Sequence, residues 1–487
     1  MESSSKQSLA PPSAQLKNST CTSEETTVAQ AAEQVSTELE APLTSGNLWK
    51  AIWEMSWPLL VATIASSVVA LVNVQVAGRL GAASQAAVGV AEQLLFIFQV
   101  FLMSIGVGTT AVVSRAYGRK DFVEADNVTA QSLTLSILVG LVLSLVSVFA
   151  AYFIVPLLNH EADVIAQSNF YLTVYSLYLV PYSLVCISNA AFRAIGNARI
   201  PLVVICVEVG INITGDYLTV FYNWPVAGLG VGGIAASAVA GAFCAALVSV
   251  SFLRGSQLSN SLKQLFPLCA STIKRITKIG VPSALQRLSW ALSVFGLFFI
   301  LSSVADPVAA LAAWTIGMRI EGLLFMPEMA LSIAVGSIVG QNLGANRADR
   351  AFRAGWTMCS IAVCMIGSLA VGVFLFAREL ATLMSANDPA TVECTTRYLQ
   401  INAVGAVSQA VNAVISGALQ GAGDTRATMW ISIVSNWVIR LPLAWLLAVS
   451  LKMGADGAWI AMSTSATLSA IAVVVRFHSG AWVHRKI

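Results

Sequence analysis

Twelve predominantly apolar stretches, each about twenty residues or longer, follow one another between Trp57 and Arg476 almost without pause. A membrane-crossing helix needs about 20 such residues. Only 10% of the chain is charged while 57% is hydrophobic, against roughly a quarter charged in soluble domains. So few charges cannot coat a water-exposed surface of this size. The chain is therefore expected to be an all-α membrane protein of twelve transmembrane helices, with the bilayer as its solvent. The segments run approximately 57–77, 87–113, 129–155, 167–191, 201–222 and 230–253, then 280–304, 308–338, 355–377, 395–419, 428–450 and 455–476.

This pattern divides the chain into a 47–254 six-helix lobe, a 255–279 linker and a 280–480 six-helix lobe. Residues 1–46, rich in Ser, Thr, Ala, Gln and Glu, lack the apolar core of a signal peptide and are expected to form a disordered tail. Residues 481–487 form a second short tail. Cys186, Cys206, Cys244, Cys359 and Cys364 lie in apolar stretches without CxxC spacing and read as packing thiols. The scattered His160, His478 and His484 suggest no metal site, and no cofactor motif is present. A net charge of +3 without a basic, aromatic-interleaved run argues against nucleic acid.

Orientation follows from Lys and Arg in the connections. One side collects Lys50, Arg115, Arg119, Lys120, Arg193, Arg199, Arg254, Lys263, Lys274, Arg275, Lys278, Arg347, Arg350, Arg353, Arg426, Arg476, Arg485 and Lys486; the other only Arg79, Arg378, Arg397 and Lys452. Both termini are thus expected in the cytoplasm of a cell-membrane protein, read as a monomer.

The halves echo each other. Pro58 and Pro282 open the first helix of each half, and Gly118 with Arg119, Asp121 and Ala125 answers Gly344 in GANRADRA. FRAIGNAR ending at Arg199 answers LQGAGDTR ending at Arg426, and Gly230 with Gly233 answers Gly454 with Gly457. Six is even, so the halves enter from the same side and should be related by a pseudo-twofold axis along the membrane normal. The interface between two such bundles suits alternating access.

The segment SIVGQNLGANRADRA, the GAGDTR connection with its partner IGNAR, the Asn212 to Asp216 stretch and the Gly78, Leu80, Gly81 turn together resemble the multidrug and toxic compound extrusion family. The likeness spans about residues 47–480. It implies an antiporter that exports organic cations, drugs or metabolites from between two lobes in exchange for H⁺ or Na⁺. The residues matching Asn212 and Asp216 belong to the family's first-lobe cation site; Glu208 has no such counterpart. Asn73 stands where many members carry an aspartate. Trp290 replaces the glutamate that some sodium-driven members carry, and their tenth-helix acid falls near Ser408 and Gln409. A second-lobe cation site is therefore not expected. A lipid-linked oligosaccharide flippase of related fold is the alternative, but its site is usually strongly cationic, and only Arg287, Arg319 and Arg440 fall inside the membrane segments.

Ionisable residues at membrane depth are costly and invite a functional reading. Glu208, Asn212 and Asp216 lie at i, i+4 and i+8 and share one helical face. Sodium would need several converging oxygens, with Asp216, Asn212 and Asn73 as the available ligands, whereas a proton needs one carboxylate tuned by burial. Protons are the expected coupling ion. Glu321 and Glu328, nearly two turns apart, are expected in a second-lobe cavity, with Glu321 pairing to Arg319 or Arg287 as the bland alternative. Glu92, Gln93, Gln99 and Trp290 complete the cavity candidates. Arg287, Arg319 and Arg440 lie within snorkelling distance of helix ends. Pro58, Pro282, Pro327, Gly118 and Gly344 are the expected hinges, Pro327 by kinking its helix. HExxH, GxSxG in context and metal-paired acids are missing, which argues against a membrane enzyme. Two covalently joined six-helix repeats argue against a channel.

Overall fold

The computed structural model describes residues 43–158, 161–222, 229–385 and 388–485. Most of the expected N-terminal tail, residues 1–42, and Lys486 lie outside them. Twelve helices are long and apolar enough to cross a membrane: α1 Leu48–Leu80, α2 Ala82–Gly118, α3 Phe122–Leu157, α4 Ala162–Ala194, α5 Arg199–Phe221, α6 Val231–Arg254, α7 Ala270–Leu301, α8 Pro307–Gly344, α9 Ala348–Leu375, α10 Pro389–Gly421, α11 Thr425–Ser450 and α12 Ala455–His478.

Polar residues mark the helix starts. The side chains of Asn47, Asp121, Asp306 and Asp388 accept from the backbone N–H of Trp49, Glu124, Ala309 and Ala390, satisfying donors that have no intrahelical partner. Pro307 and Pro389 follow two of these caps at the first helical position, where a missing N–H costs nothing. Gly230 and Gly454 precede α6 and α12 with φ of 50° and 65°, a conformation that a side chain resists.

The repeat read from the sequence is realised in the packing. In the first half α1 packs on α5, α2 on α4 and α4 on α6; in the second, α7 packs on α11, α8 on α10 and α10 on α12. The halves meet where α2 crosses α7 and α8 crosses α1, the reciprocal pair that a pseudo-twofold axis requires, with α2 against α8 at its centre. Between membrane helices, close approach needs small residues. A Cβ at Gly280 would stand 2.8 Å from Ser104 O, and one at Gly108 2.5 Å from Ile276 O.

Several boundaries differ from expectation. Pro58 and Pro282 do not open their helices, which begin at Leu48 and Ala270; both prolines are buried inside them. Membrane helices tolerate this because neighbouring groups satisfy the freed carbonyl. The second half of the 255–279 linker is consequently helical. α8 runs through Pro327 as a single helix, Pro307–Gly344, which leaves room for the expected kink there. The tails are also partly docked. Leu43 is buried and its carbonyl accepts from Asn342, while Arg347 and Arg350 hold the carbonyls of Thr44, Ser45 and Gly46. Trp482 is fully buried, stacked on Phe477 with ring centroids 4.8 Å apart.

Gly118 and Gly344 are the last residues of α2 and α8, and both are buried. Neither is a left-handed turn; the positive φ values belong to Lys120 and Asn346. A Cβ on Gly118 would strike the carbonyl of Gln341, and one on Gly344 the carbonyl of Arg115. These glycines are therefore points at which the halves touch, each at the last helical position before a turn, Arg119–Lys120 and Ala345–Asn346.

Candidate functional site

A cavity of about 800 Å³ lies between the halves, within the size range of small-molecule sites. It is closed at the end of the bundle that carries the described chain ends. There Arg115 donates to the carbonyls of Ala422 (2.9 Å) and Arg485 (2.6 Å), and Gln341 to that of Ala194 (2.7 Å), three bonds that cross from one half to the other. Gln420, on the floor, donates to Gln286 at 3.1 Å, which also accepts from Thr428.

The α4 wall presents Tyr171, Tyr175, Tyr178 and Tyr182. Successive ring centroids are 5.5, 4.5 and 5.0 Å apart. Their spacing of four, three and four keeps them on one face, and a 3₁₀ turn at Ser176–Tyr178 tightens the helix there. Such rings offer apolar area with polar tips. The sequence reading missed this ladder, although the tyrosine periodicity within α4 was visible. Met103, Met326 and Met329 line the cavity with adaptable thioethers.

Glu92 and Gln99 line it as expected, whereas Gln93, one position further around α2, is exposed and lies outside the lining. Glu208 lines the cavity and accepts from Tyr178 Oη at 3.1 Å. At the cavity edge, the structure brings Asn73 of α1 and Asn212 of α5, both of which line it, to Asp216 of α5, which lies just behind them. With its amide oriented to satisfy the network, Asn73 donates to Asp216 Oδ2 at 2.8 Å, to Asn212 Oδ1 at 3.2 Å and to Val69 O at 3.1 Å. Asp216 is fully buried, its Oδ1 has no hydrogen-bond partner, and no cation pairs with it among the described residues. One α-turn ends here and a π-helical turn, Tyr217–Phe221, follows, a distortion frequent at functional sites.

The second half has a buried polar cluster of its own on α11, Asn436 and Arg440, within a π-helical stretch, Val434–Arg440. Arg440 does not snorkel: it is buried and donates from Nε to Ser465 at 2.9 Å. It belongs to a smaller pocket of about 200 Å³ with Glu321, Glu328, Trp290, Asn402 and Gln409. Arg440 and Glu328 lie within electrostatic reach of Glu321 and buried Tyr398 within hydrogen-bond reach of it, so a residue from α11 takes the place of the alternative partners Arg319 and Arg287. Arg319 is exposed, and Arg287 lines the inter-lobe cavity. Ser408 turns away to Thr467 at 3.0 Å. The acids of this pocket are thus on α8 rather than on α7 or α10. A further correction concerns Arg193, counted among the connections: its side chain lines the cavity floor.

Two homologous six-helix halves around a central cleft, with ionisable groups at membrane depth, define a secondary transporter. The MatE family profile matches residues 58–218 and again 282–446, once in each half. The chain belongs to this family of multi-pass membrane transporters, and it is not an enzyme. It is 24% identical over 441 residues to the probable multidrug resistance protein NorM of Thermotoga maritima, covering 90% of this chain and 94% of that one. The uncharacterized transporter YisQ of Bacillus subtilis is 23% identical over 437 residues, covering 89% and 95%. A solved outward-facing conformation of a multidrug resistance MATE family transporter of the MOP superfamily superposes with a TM-score of 0.85 at 21% identity, over 92% of this chain and 99% of that one.

Proposed function

We propose that the chain is an H⁺-coupled exporter of amphipathic organic molecules, working as a monomer by alternating access with Asp216 as the proton-carrying group. The observation that carries this is the buried Asp216 carboxylate, reached by an amide N–H at one oxygen and by the Ser237 hydroxyl, with no cation paired to it among the described residues. A proton on Oδ1 neutralises such a group without any further ligand. Sodium would take the other amide orientation of Asn73, with its oxygen facing Asn212 Oδ1 and Asp216 Oδ2, and would need further oxygens to complete its shell. The Lys and Arg asymmetry supports a cytoplasmic location for the sealed end, and it survives removal of Arg193 from the count. On that orientation the cavity described here opens outward, ready to release cargo and take up a proton.

The family relationship and the relatives named for multidrug resistance support small organic cargo. The tyrosine ladder and methionines supply a surface that accepts varied aromatic bodies. Proteoliposomes loaded with a fluorescent dye test the coupling, with the pH and sodium gradients imposed one at a time. Efflux driven by inward protons in the absence of sodium is expected. Strict sodium dependence at constant pH would reverse the choice of ion and make Asn73, Asn212 and Asp216 its ligands.

A further inference from the structure

The cavity floor carries two guanidinium groups that the coupling site does not use. Arg193 comes from the last turn of α4 and Arg287 from α7, one from each half, and both line the cavity. Neither makes a hydrogen bond or ion pair among the described residues, and Nε of Arg193 is buried without a partner. Both act electrostatically on Tyr182 and Cys186, so they converge on one stretch of the α4 wall. Other arginines near this end are engaged: Arg115 holds two carbonyls, and Arg476 holds Asp424. Glu208 reaches the same Tyr182 and Cys186 stretch, but neither it nor Glu92, on the α2 wall further from the sealed end, forms an ion pair with Arg193 or Arg287 among the described residues.

An unpaired charge at membrane depth is costly and marks a ligand path. A guanidinium fork matches the two oxygens of a carboxylate or phosphate, and it is weakly hydrated enough to exchange water for such a partner. We propose that this floor is the subsite for an acidic group on the cargo. The transporter then carries amphipathic organic anions and zwitterions, their carboxylate or phosphate between Arg193 and Arg287 and their aromatic body along the tyrosine ladder. This rests on the cavity being the cargo site. The occupant is a soluble molecule rather than a lipid headgroup, because a cavity of about 800 Å³ suits a single drug-sized ligand.

Rhodamine B has a free carboxylate, and its ethyl ester carries the same xanthene body without one. Binding of both dyes to the purified full-length chain in an uncharged detergent, followed by fluorescence polarisation, measures what the acid adds. The wild type is expected to bind the acid about tenfold more tightly than the ester. In the Arg193→Gln/Arg287→Gln variant the ratio should fall to about one, with Arg→Lys replacements retaining part of it. Thermal melting reports whether each variant is folded, and the wild-type ratio stands without them. Equal affinities in the wild type, or a ratio preserved in a folded double variant, would overturn the subsite. Dioctanoyl phosphatidic acid as competitor separates the sources: displacement far below the concentration of a soluble aromatic carboxylate would assign the floor to a lipid phosphate and overturn the proposed cargo. Gradient-driven export of the ester by wild-type proteoliposomes is the independent check on export. Export without acid preference removes only the subsite; acid preference without export removes only the export reading.

Discussion

With its amide oriented to satisfy the network, Asn73 donates to Asp216 Oδ2 at 2.8 Å, tying the first helix of the bundle to the fifth. Where an acid at position 73 would repel Asp216, the amide supports it with a single N–H. One such bond to a charged group contributes about 1.5–3 kcal/mol, which does not satisfy the second oxygen.

Asp216→Asn keeps the shape and removes the titratable group. Gradient-driven efflux in proteoliposomes is expected to drop to the level of protein-free vesicles, while expression and melting temperature stay close to wild type. Glu208→Gln should move the pH optimum of efflux and leave turnover measurable. Wild-type rates for Asp216→Asn at saturating dye would remove the residue from coupling.

Gly118 and Gly344 lie against backbone carbonyls of the opposite half, and backbone cannot step aside as a flexible side chain can. Gly118→Val and Gly344→Val should each cost about 1–3 kcal/mol of packing in the sealed conformation. A lowered melting temperature and slower efflux are expected. Unchanged values for both variants would show that the halves do not meet there during transport.

Asp424, in the GAGDTR connection, is fully buried and holds Arg476 at 2.7 Å and Arg485 at 3.4 Å. Arg476→Met leaves a buried carboxylate with only the longer contact. Breaking such a pair costs about 3–5 kcal/mol, whereas removing both partners together costs less. Thermal unfolding should therefore show Arg476→Met to be less stable than Arg476→Met/Asp424→Leu. The reverse order would mean that Asp424 is well solvated.

Cys269 sits just before α7 in the connection between the halves, with Sγ 3.1 Å from Ser271 Oγ. Hydrogen bonds from Ser271 and Thr272 lower its thiol to about 7, where an ordinary thiol titrates near 8.5. Its thiolate forms as pH rises through about 7, so alkylation should accelerate between pH 6 and 8 with a midpoint about 1.5 units earlier than for an unperturbed thiol. A membrane-impermeant haloacetamide, followed by peptide mass spectrometry, checks both the midpoint and the side. Labelling is expected from the cytoplasmic face; labelling from outside would invert the topology.

Periodic and additive properties were legible in the chain itself. Helix number, the repeat and the charge bias depend on which residues follow which, and hydrocarbon permits few alternatives once twelve long apolar segments are present. The shared face of Asn212 and Asp216 followed from helix geometry alone. Which residue from another helix would meet them did not, because no local rule links α1 to α5. The same limit hid Arg440 as the neighbour of Glu321, and it misassigned Arg193 to a connection when its side chain rises into the cavity. Gly118 and Gly344 were visible as a repeated pair, but only the crossing of α2 with α8 shows that each faces the other's helix end. Sequence determined the elements and their symmetry because both are set by local patterns in a solvent that tolerates no exposed backbone; tertiary structure decided the partners, because burial and charge compensation are properties of surfaces that only folding brings together.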